Sequence, residues 1–139
     1  MAKFKTRFTQ LVDLKKDVVQ KSEQALFQAT TSFQNAKDEL EQAYDSLSTL
    51  QEPKSGSVSE LLASRVLLSS QRNTIEHNKQ WINFANQQVQ QAQEQLKKDM
   101  IEYEKFKYLE LQEVKKILQE QKQQEAKDLD EVALMTYKG

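Results

Sequence analysis

The feature that most limits the fold of this chain is the near absence of helix-breaking residues. The 139 residues include two glycines and one proline, and apart from the terminal Gly139 these lie only within residues 53–57, which read Pro-Lys-Ser-Gly-Ser. Turns depend on Gly and Pro for backbone angles that other residues resist. With 29% charged residues and a single break, the sequence predicts an all-α fold of two long helices.

The first predicted helix runs from about residue 4 to residue 50, and a heptad repeat passes through it. Large apolar residues occupy one series of this repeat: Val12, Val19, Leu26, Phe33, Leu40 and Leu47. A companion series is mostly small or polar: Phe8, Lys15, Ser22, Ala29, Ala36, Ala43 and Leu50. The alternating three- and four-residue spacing of the two series is typical of a coiled-coil seam.

The second predicted helix runs from about residue 58 to residue 135. Ser57 or Ser59 could cap its start, and Ser57 with Glu60 fits a capping box. Its large apolar series consists of Leu61, Leu68, Ile75, Ile82, Val89, Leu96 and Tyr103. The companion positions hold Ser64, Gln71, Asn78, Ala85, Ala92 and Asp99. Two seams of this kind on consecutive helices predict an antiparallel coiled-coil hairpin.

A tight reversal at residues 52–56 predicts one register for this hairpin. In that register the numbers of facing large residues sum to 108: Leu47 with Leu61, Leu40 with Leu68, Phe33 with Ile75, Leu26 with Ile82, Val19 with Val89 and Val12 with Leu96. The companion layers lie between them: Ala43 near Ser64, Ala36 near Gln71, Ala29 near Asn78, Ser22 near Ala85 and Lys15 near Ala92.

The two helices have unequal lengths, and the difference predicts where a partner binds. The first helix can cover the second only to about Tyr103, so residues 105–135 are expected to project unpaired from a single hairpin domain spanning residues 1–139. Apolar residues continue in the projecting part, from Phe106 to Met135. A helix with an uncovered apolar stripe is incomplete and requires a second copy or another protein.

Composition excludes most other classes of function. A net charge of −1 provides no field that would attract nucleic acid, and the chain has no cysteine and one histidine, His77. Two glycines cannot build a phosphate-binding loop. We therefore predict no catalytic, cofactor-binding or metal-binding residues, and no enzyme. The chain has no stretch of about 20 apolar residues and no signal peptide, so a cytoplasmic protein is expected. Trp81, Tyr44 and Tyr108 lie outside the seam, as contact residues or as packing over neighbours.

A motif near the C-terminus carries a family resemblance. The motif reads Glu-x-Lys-x-Leu-Asp-Glu-x-Ala, at Glu125, Lys127, Leu129, Asp130, Glu131 and Ala133. A helical hairpin of about this length that ends in this motif resembles the FliJ family, coiled-coil components of the bacterial flagellar type III export apparatus. The motif covers a small part of the chain, whereas the length and architecture cover all of it.

The resemblance implies a non-enzymatic stalk inside the hexameric flagellar export ATPase, which links that ATPase to the cytoplasmic part of the membrane export gate and to export chaperones. It implies a cytoplasmic location at the flagellar base, peripheral to the inner membrane, with no cofactor. The residues expected to bind the ATPase are Phe4, Phe8, Tyr103, Phe106, Lys127, Leu129, Asp130 and Glu131. Those expected to face the gate are Leu40, Ala43, Tyr44, Leu50, Leu67 and Gln71.

Three other functions remain open from the sequence. The chain could be the equivalent stalk of a virulence-type secretion system or of a rotary ATPase. It could also be a homodimeric coiled-coil scaffold or adaptor whose free helix ends bind each other. A binder of curved membranes is a third reading, which the absence of a dense basic face disfavours.

Overall fold

The structure, a computed structural model, describes residues 5–50 and 56–138. They form two helices, α1 (Thr9–Thr49) and α2 (Val58–Lys138), which pack against each other as a hairpin. The predicted fold class is therefore confirmed. The chain divides into a loop-side unit, Lys21–Leu96, and a terminal unit, Met1–Gln20 with Lys97–Gly139. A single domain over residues 1–139 stays a prediction.

Helix α1 begins later than predicted, after a turn that is capped by two threonines. The backbone N–H of Thr6 donates to Oγ1 of Thr9 at 2.8 Å, and the N–H of Phe8 donates to Oγ1 of Thr6 at 3.0 Å. This reciprocal pattern is that of a capping box, which satisfies free backbone N–H groups at the start of a helix. The helix starts at Thr9, and the predicted start near residue 4 lies outside the described residues.

Helix α2 begins at the predicted cap. Oγ of Ser57 accepts a hydrogen bond from the backbone N–H of Glu60 at 3.2 Å, as an N-cap residue does. Gly56 precedes it with φ of +154°, a backbone conformation that residues with a side chain rarely adopt. Glycine is therefore favoured at this point of the reversal. The helix continues to Lys138, slightly beyond the predicted end near residue 135.

Burial along both helices follows the predicted heptads. The most buried side chains are those of Val19, Ser22, Ala36, Ala43, Ile75 and Ala85, and each belongs to one of the two series. The remaining seam positions from Phe8 to Leu50 and from Ser64 to Phe106 are half-buried. Trp81, Tyr44 and Tyr108 are 51%, 44% and 61% exposed, as expected for residues outside the seam.

The register differs from the predicted one by a heptad. In the loop-side unit, Nε2 of Gln71 donates a hydrogen bond to the backbone carbonyl of Ala43 at 3.0 Å, although the prediction placed Gln71 near Ala36. In the terminal unit, the rings of Phe8 and Phe106 lie 6.5 Å apart. Both pairs sum to 114, whereas the predicted companion pairs sum to 107. The predicted register is therefore wrong by seven residues.

Two further residues at companion positions agree with the observed register. Ala29 and Ala85 line the same groove between the helices, again with numbers that sum to 114. The predicted register also paired small residues, such as Ser22 with Ala85, but only the observed register brings Lys15 level with Asp99. Small layers let two helix backbones approach closely, and opposite charges at one level attract.

Coverage of α2 extends beyond the predicted limit near Tyr103. Glu110, Glu113 and Ile117 continue the two heptad series, and all three are half-buried. Beyond them, every described side chain from residue 118 to residue 137 is exposed. The uncovered part of α2 therefore begins after Ile117 rather than near residue 105. Within the described residues, neither α1 nor α2 has an apolar stretch that would cross a bilayer.

Candidate functional site

An aromatic and basic cluster lies where the first residues of the chain meet α2 in the terminal unit. The Phe8 and Phe106 rings are tilted by 44° to each other, and the guanidinium of Arg7 lies 5.0 Å from the centroid of the Phe8 ring. The amines of Lys15 and Lys105 lie 5.7 Å and 5.9 Å from the centroid of the Phe106 ring. Cations at these distances from a ring are attracted by its quadrupole.

One ion pair borders this cluster. Nη2 of Arg7 lies 3.8 Å from Oε2 of Glu113, and the Arg7 side chain is 75% exposed. The sequence prediction missed this contact because it ended the covered region near Tyr103. The signal that could have found it is the heptad itself, which passes through Glu110 and Glu113 to Ile117. Polar residues at seam positions made the repeat look as though it lapsed.

The distal segment, residues 118–137 of α2, is the main uncovered surface of the terminal unit. Its apolar side chains are strongly exposed, including Leu129 at 70%, Val132 at 58% and Met135 at 74%. Leu129 and Val132 are three residues apart and therefore share a helix face, together with Leu118 eleven residues before Leu129. The apolar surface of such a face is removed from water only when a partner covers it.

The structure places the predicted ATPase-binding residues in two groups. Phe8, Phe106 and the half-buried Tyr103 are seam residues, and the amine of Lys107 lies 5.5 Å from the centroid of the Tyr103 ring. Lys127, Leu129, Asp130 and Glu131 are exposed on the distal segment. Phe4 lies outside the described residues. The first group therefore joins the two helices, and the second is free to contact a partner.

The predicted gate-facing residues belong to the loop-side unit and differ in exposure. Ala43 is buried and bonded to Gln71, so both serve the contact between the helices. Leu40 and Leu50 are half-buried. Tyr44 and Leu67 are 44% and 57% exposed, and the amine of Lys79 lies 6.0 Å from the centroid of the Tyr44 ring. These last two are the most exposed members of the set.

The loop-side unit has an aromatic surface of its own, which was not predicted from the sequence. The rings of Trp81 and Phe84 stack with centroids 5.4 Å apart, and the side chains are 51% and 48% exposed. They border a shallow groove of about 270 Å³ beside Ala29 and Ala85. The three-residue spacing of the two rings on one helix is the signal that predicts their contact.

Within residues 5–50 and 56–138, no three His, Asp or Glu side chains are placed to hold a metal ion. What the described residues offer is a closed helix pair and an exposed helix end, which together define a coiled-coil interaction protein.

Comparison with known families identifies which kind of coiled-coil interaction protein this is. A family model for the flagellar FliJ protein matches residues 4–139, essentially the whole chain. The chain belongs to the FliJ family, as its C-terminal motif indicated. It is therefore a non-enzymatic component of flagellar protein export, with a stalk-type role and partners within that export apparatus. The searches of curated proteins and of solved structures found no match.

Proposed function

We propose that the protein is the stalk of the hexameric flagellar export ATPase and that the distal segment enters the ATPase ring. The observation that carries this proposal is the exposure of every described residue from 118 to 137 on a helix that still bears Leu129, Val132 and Met135. An isolated helix gains little from its own hydrogen bonds, so a surrounding partner would stabilise this segment.

The charged residues of the motif support a ring as the partner. Lys127, Asp130 and Glu131 are exposed, and their three- and four-residue spacing places them on one face of the helix. Leu129 and Val132 lie on the opposite face, so the segment presents charge on one side and apolar surface on the other. A partner that encloses the helix can use both faces, whereas a flat partner can use one face.

The loop-side unit is proposed to face the cytoplasmic part of the export gate, at the periphery of the inner membrane. Tyr44 and Leu67 support this because they expose apolar surface near the reversal of the chain. The aromatic surface of Trp81 and Phe84 is proposed to receive export chaperones. Exposed aromatic residues are enriched among the residues that dominate protein interfaces.

The main experiment mixes the protein with its cognate export ATPase and follows co-purification, hexamer formation and ATP hydrolysis. We expect full-length protein to promote hexamers and stimulate hydrolysis. A truncation after Ile117 retains the contacts of Phe8 with Phe106 and of Arg7 with Glu113. It should therefore keep the hairpin and lose the stimulation. Stimulation by the truncated protein at the full-length level would contradict the proposal.

A second copy of the chain is the other partner that could cover the distal segment. Sedimentation of the protein alone at micromolar concentration distinguishes a second copy from the ATPase as the partner. A monomer that binds the ATPase supports the stalk. A dimer that dissociates on truncation after Ile117, with no effect on the ATPase, supports the homodimeric scaffold.

A further inference from the structure

A core-type residue at the start of α2 lacks a counterpart on α1. Leu61 belongs to the large apolar series, yet it is 36% exposed, whereas Ile75 in the same series is 6% exposed. In the observed register the large residues that share a level sum to 115, so the last residue of α1, Thr49, is level with Val66. The first two turns of α2 therefore extend past the end of α1.

A displacement of α1 by one heptad would cover Leu61 and keep the layers matched. Both seams repeat every seven residues, so Leu40 would move from the level of Ile75 to that of Leu68, and Leu47 would reach Leu61. Large residues would still meet large residues. The displacement is about 10 Å, from a rise of 1.5 Å per residue. The connection at residues 50–57 has a length that commonly joins adjacent antiparallel helices.

The same displacement would separate the contacts of the terminal unit. Phe8 would leave Phe106 and come level with Asp99, and Arg7 would leave Glu113. Both present contacts are modest, since the ion pair spans 3.8 Å with an exposed arginine and the ring centroids lie 6.5 Å apart. Apolar cover is gained at one end of α1 and lost at the other. The hydrogen bond from Gln71 to the Ala43 carbonyl belongs to the observed register and would also be broken.

We infer that α1 and α2 exchange between the observed register and one displaced by a heptad toward the connection. The exchange couples the cover of Leu61 to the exposure of Phe106. Displacement in the opposite direction is not expected, because it would uncover Leu68 as well as Leu61. The inference rests on the seam residues alone and does not depend on the identity of any partner.

The absence of cysteine allows a direct test by engineered cysteine pairs in the full chain. Ala29→Cys with Ala85→Cys reports the observed register. Ala29→Cys with Asn78→Cys reports the displaced one, and Ala29→Cys with Ala92→Cys is its matched control. Asn78 and Ala92 each lie seven residues from Ala85, so in the observed register both are equally far from residue 29. Both positions are also half-buried.

Disulfide formation is followed under mild oxidation at a protein concentration low enough to exclude cross-links between chains. Each rate of disulfide formation is divided by the rate at which the single cysteine at residue 78, 85 or 92 reacts with a small disulfide reagent. The Ala85 pair should form fastest, because the observed register is the main one. The Asn78 pair should form faster than the Ala92 pair by about tenfold, because displacement toward the connection is populated and displacement in the opposite direction is not. An Asn78 rate equal to or below the Ala92 rate overturns the inference.

Two further substitutions test whether the Asn78 cross-link reports the displacement itself. Leu61→Asp places a charge where the displaced register would bury a leucine, so it should lower the Asn78 rate severalfold. Phe8→Ala removes a contact made only in the observed register, so it should raise that rate. An Asn78 rate that responds to neither substitution also overturns the inference, because general opening of the hairpin would then explain the cross-link.

Discussion

The side-chain amide of Gln71 donates a hydrogen bond to the backbone carbonyl oxygen of Ala43, 3.0 Å away on the other helix. This bond fixes which heptad of α1 meets which heptad of α2 in the loop-side unit. Gln71 is half-buried and Ala43 is 6% exposed, so solvent competes weakly for the bond. A hydrogen bond between partly buried groups typically contributes about 1 kcal/mol to the free energy of unfolding.

Replacement of Gln71 by alanine should therefore lower the free energy of unfolding by about 1 kcal/mol in urea denaturation followed by circular dichroism. Gln80→Ala is the matched control, because Gln80 lies on the same helix and is exposed. The control should leave the free energy of unfolding within about 0.5 kcal/mol of the wild-type value. Equal effects of the two substitutions would show that the Gln71 bond does not hold the helices together.

Phe8→Ala should destabilise the terminal unit, because it removes the ring that packs on Phe106 and lies beside Arg7. We expect a loss of about 1–2 kcal/mol for a half-buried aromatic residue. Amide hydrogen exchange should report the loss as reduced protection of residues 97–113. Phe27→Ala is the control, since that ring is 73% exposed and should contribute little. Unchanged protection in Phe8→Ala would contradict the observed register.

The ion pair of Arg7 with Glu113 should contribute little. The atoms lie 3.8 Å apart and the arginine side chain is 75% exposed, so water and salt screen the attraction. Glu113→Gln should change the free energy of unfolding by less than about 1 kcal/mol, and less at high salt than at low salt. A large loss that persists in high salt would mean that Glu113 has a structural role beyond this pair.

Ser57→Ala should weaken the start of α2, because Oγ of Ser57 accepts the hydrogen bond from the Glu60 backbone N–H. Loss of an N-cap hydroxyl typically costs about 1 kcal/mol. Ser59→Ala is the control, since Ser59 lies inside the helix and is exposed. Alanine there should be neutral or slightly stabilising. Thermal unfolding of both variants checks this prediction, and equal melting temperatures would contradict it.

The sequence was sufficient to predict the two helices and the residues that pack between them. A heptad of large apolar residues interleaved with small ones indicates which face of each helix is covered, and burial of Val19, Ala36, Ile75 and Ala85 follows that pattern. The position of the reversal follows from the only proline and the only internal glycine. These features are local, and their physical causes are contained within each helix.

The register could not be predicted from the same pattern because the pattern is periodic. A shift of seven residues leaves large residues facing large residues, so the repeat alone cannot distinguish the two arrangements. Contacts at particular positions distinguish them: the Gln71 amide with the Ala43 carbonyl, and the Phe8 ring with the Phe106 ring. The end of the covered region was placed too early for a related reason, since Glu110 and Glu113 occupy seam positions with polar side chains.

For the candidate site, the sequence located the distal segment but not its extent. The family motif pointed to residues 125–133, all of which are exposed. The gate-facing set was less successful as a surface, because Ala43 and Gln71 contact each other across the helices. Both residues belong to the companion series of the seam in either register, so the heptad repeat already indicated their burial, and the gate-facing assignment rested on the family resemblance.

The most direct test of the stalk proposal measures the affinity of the cognate export ATPase for two double variants of the distal segment. Leu129→Ala with Val132→Ala removes exposed apolar side chains and preserves helix propensity. Gln119→Ala with Gln123→Ala is the control, at exposed polar positions of the same segment. We predict that the first pair weakens binding by about tenfold or more, as loss of central apolar contacts does, and that the control binds like wild type. Equal affinities of the two double variants would contradict the proposal that this segment is the part of the chain that the ATPase holds.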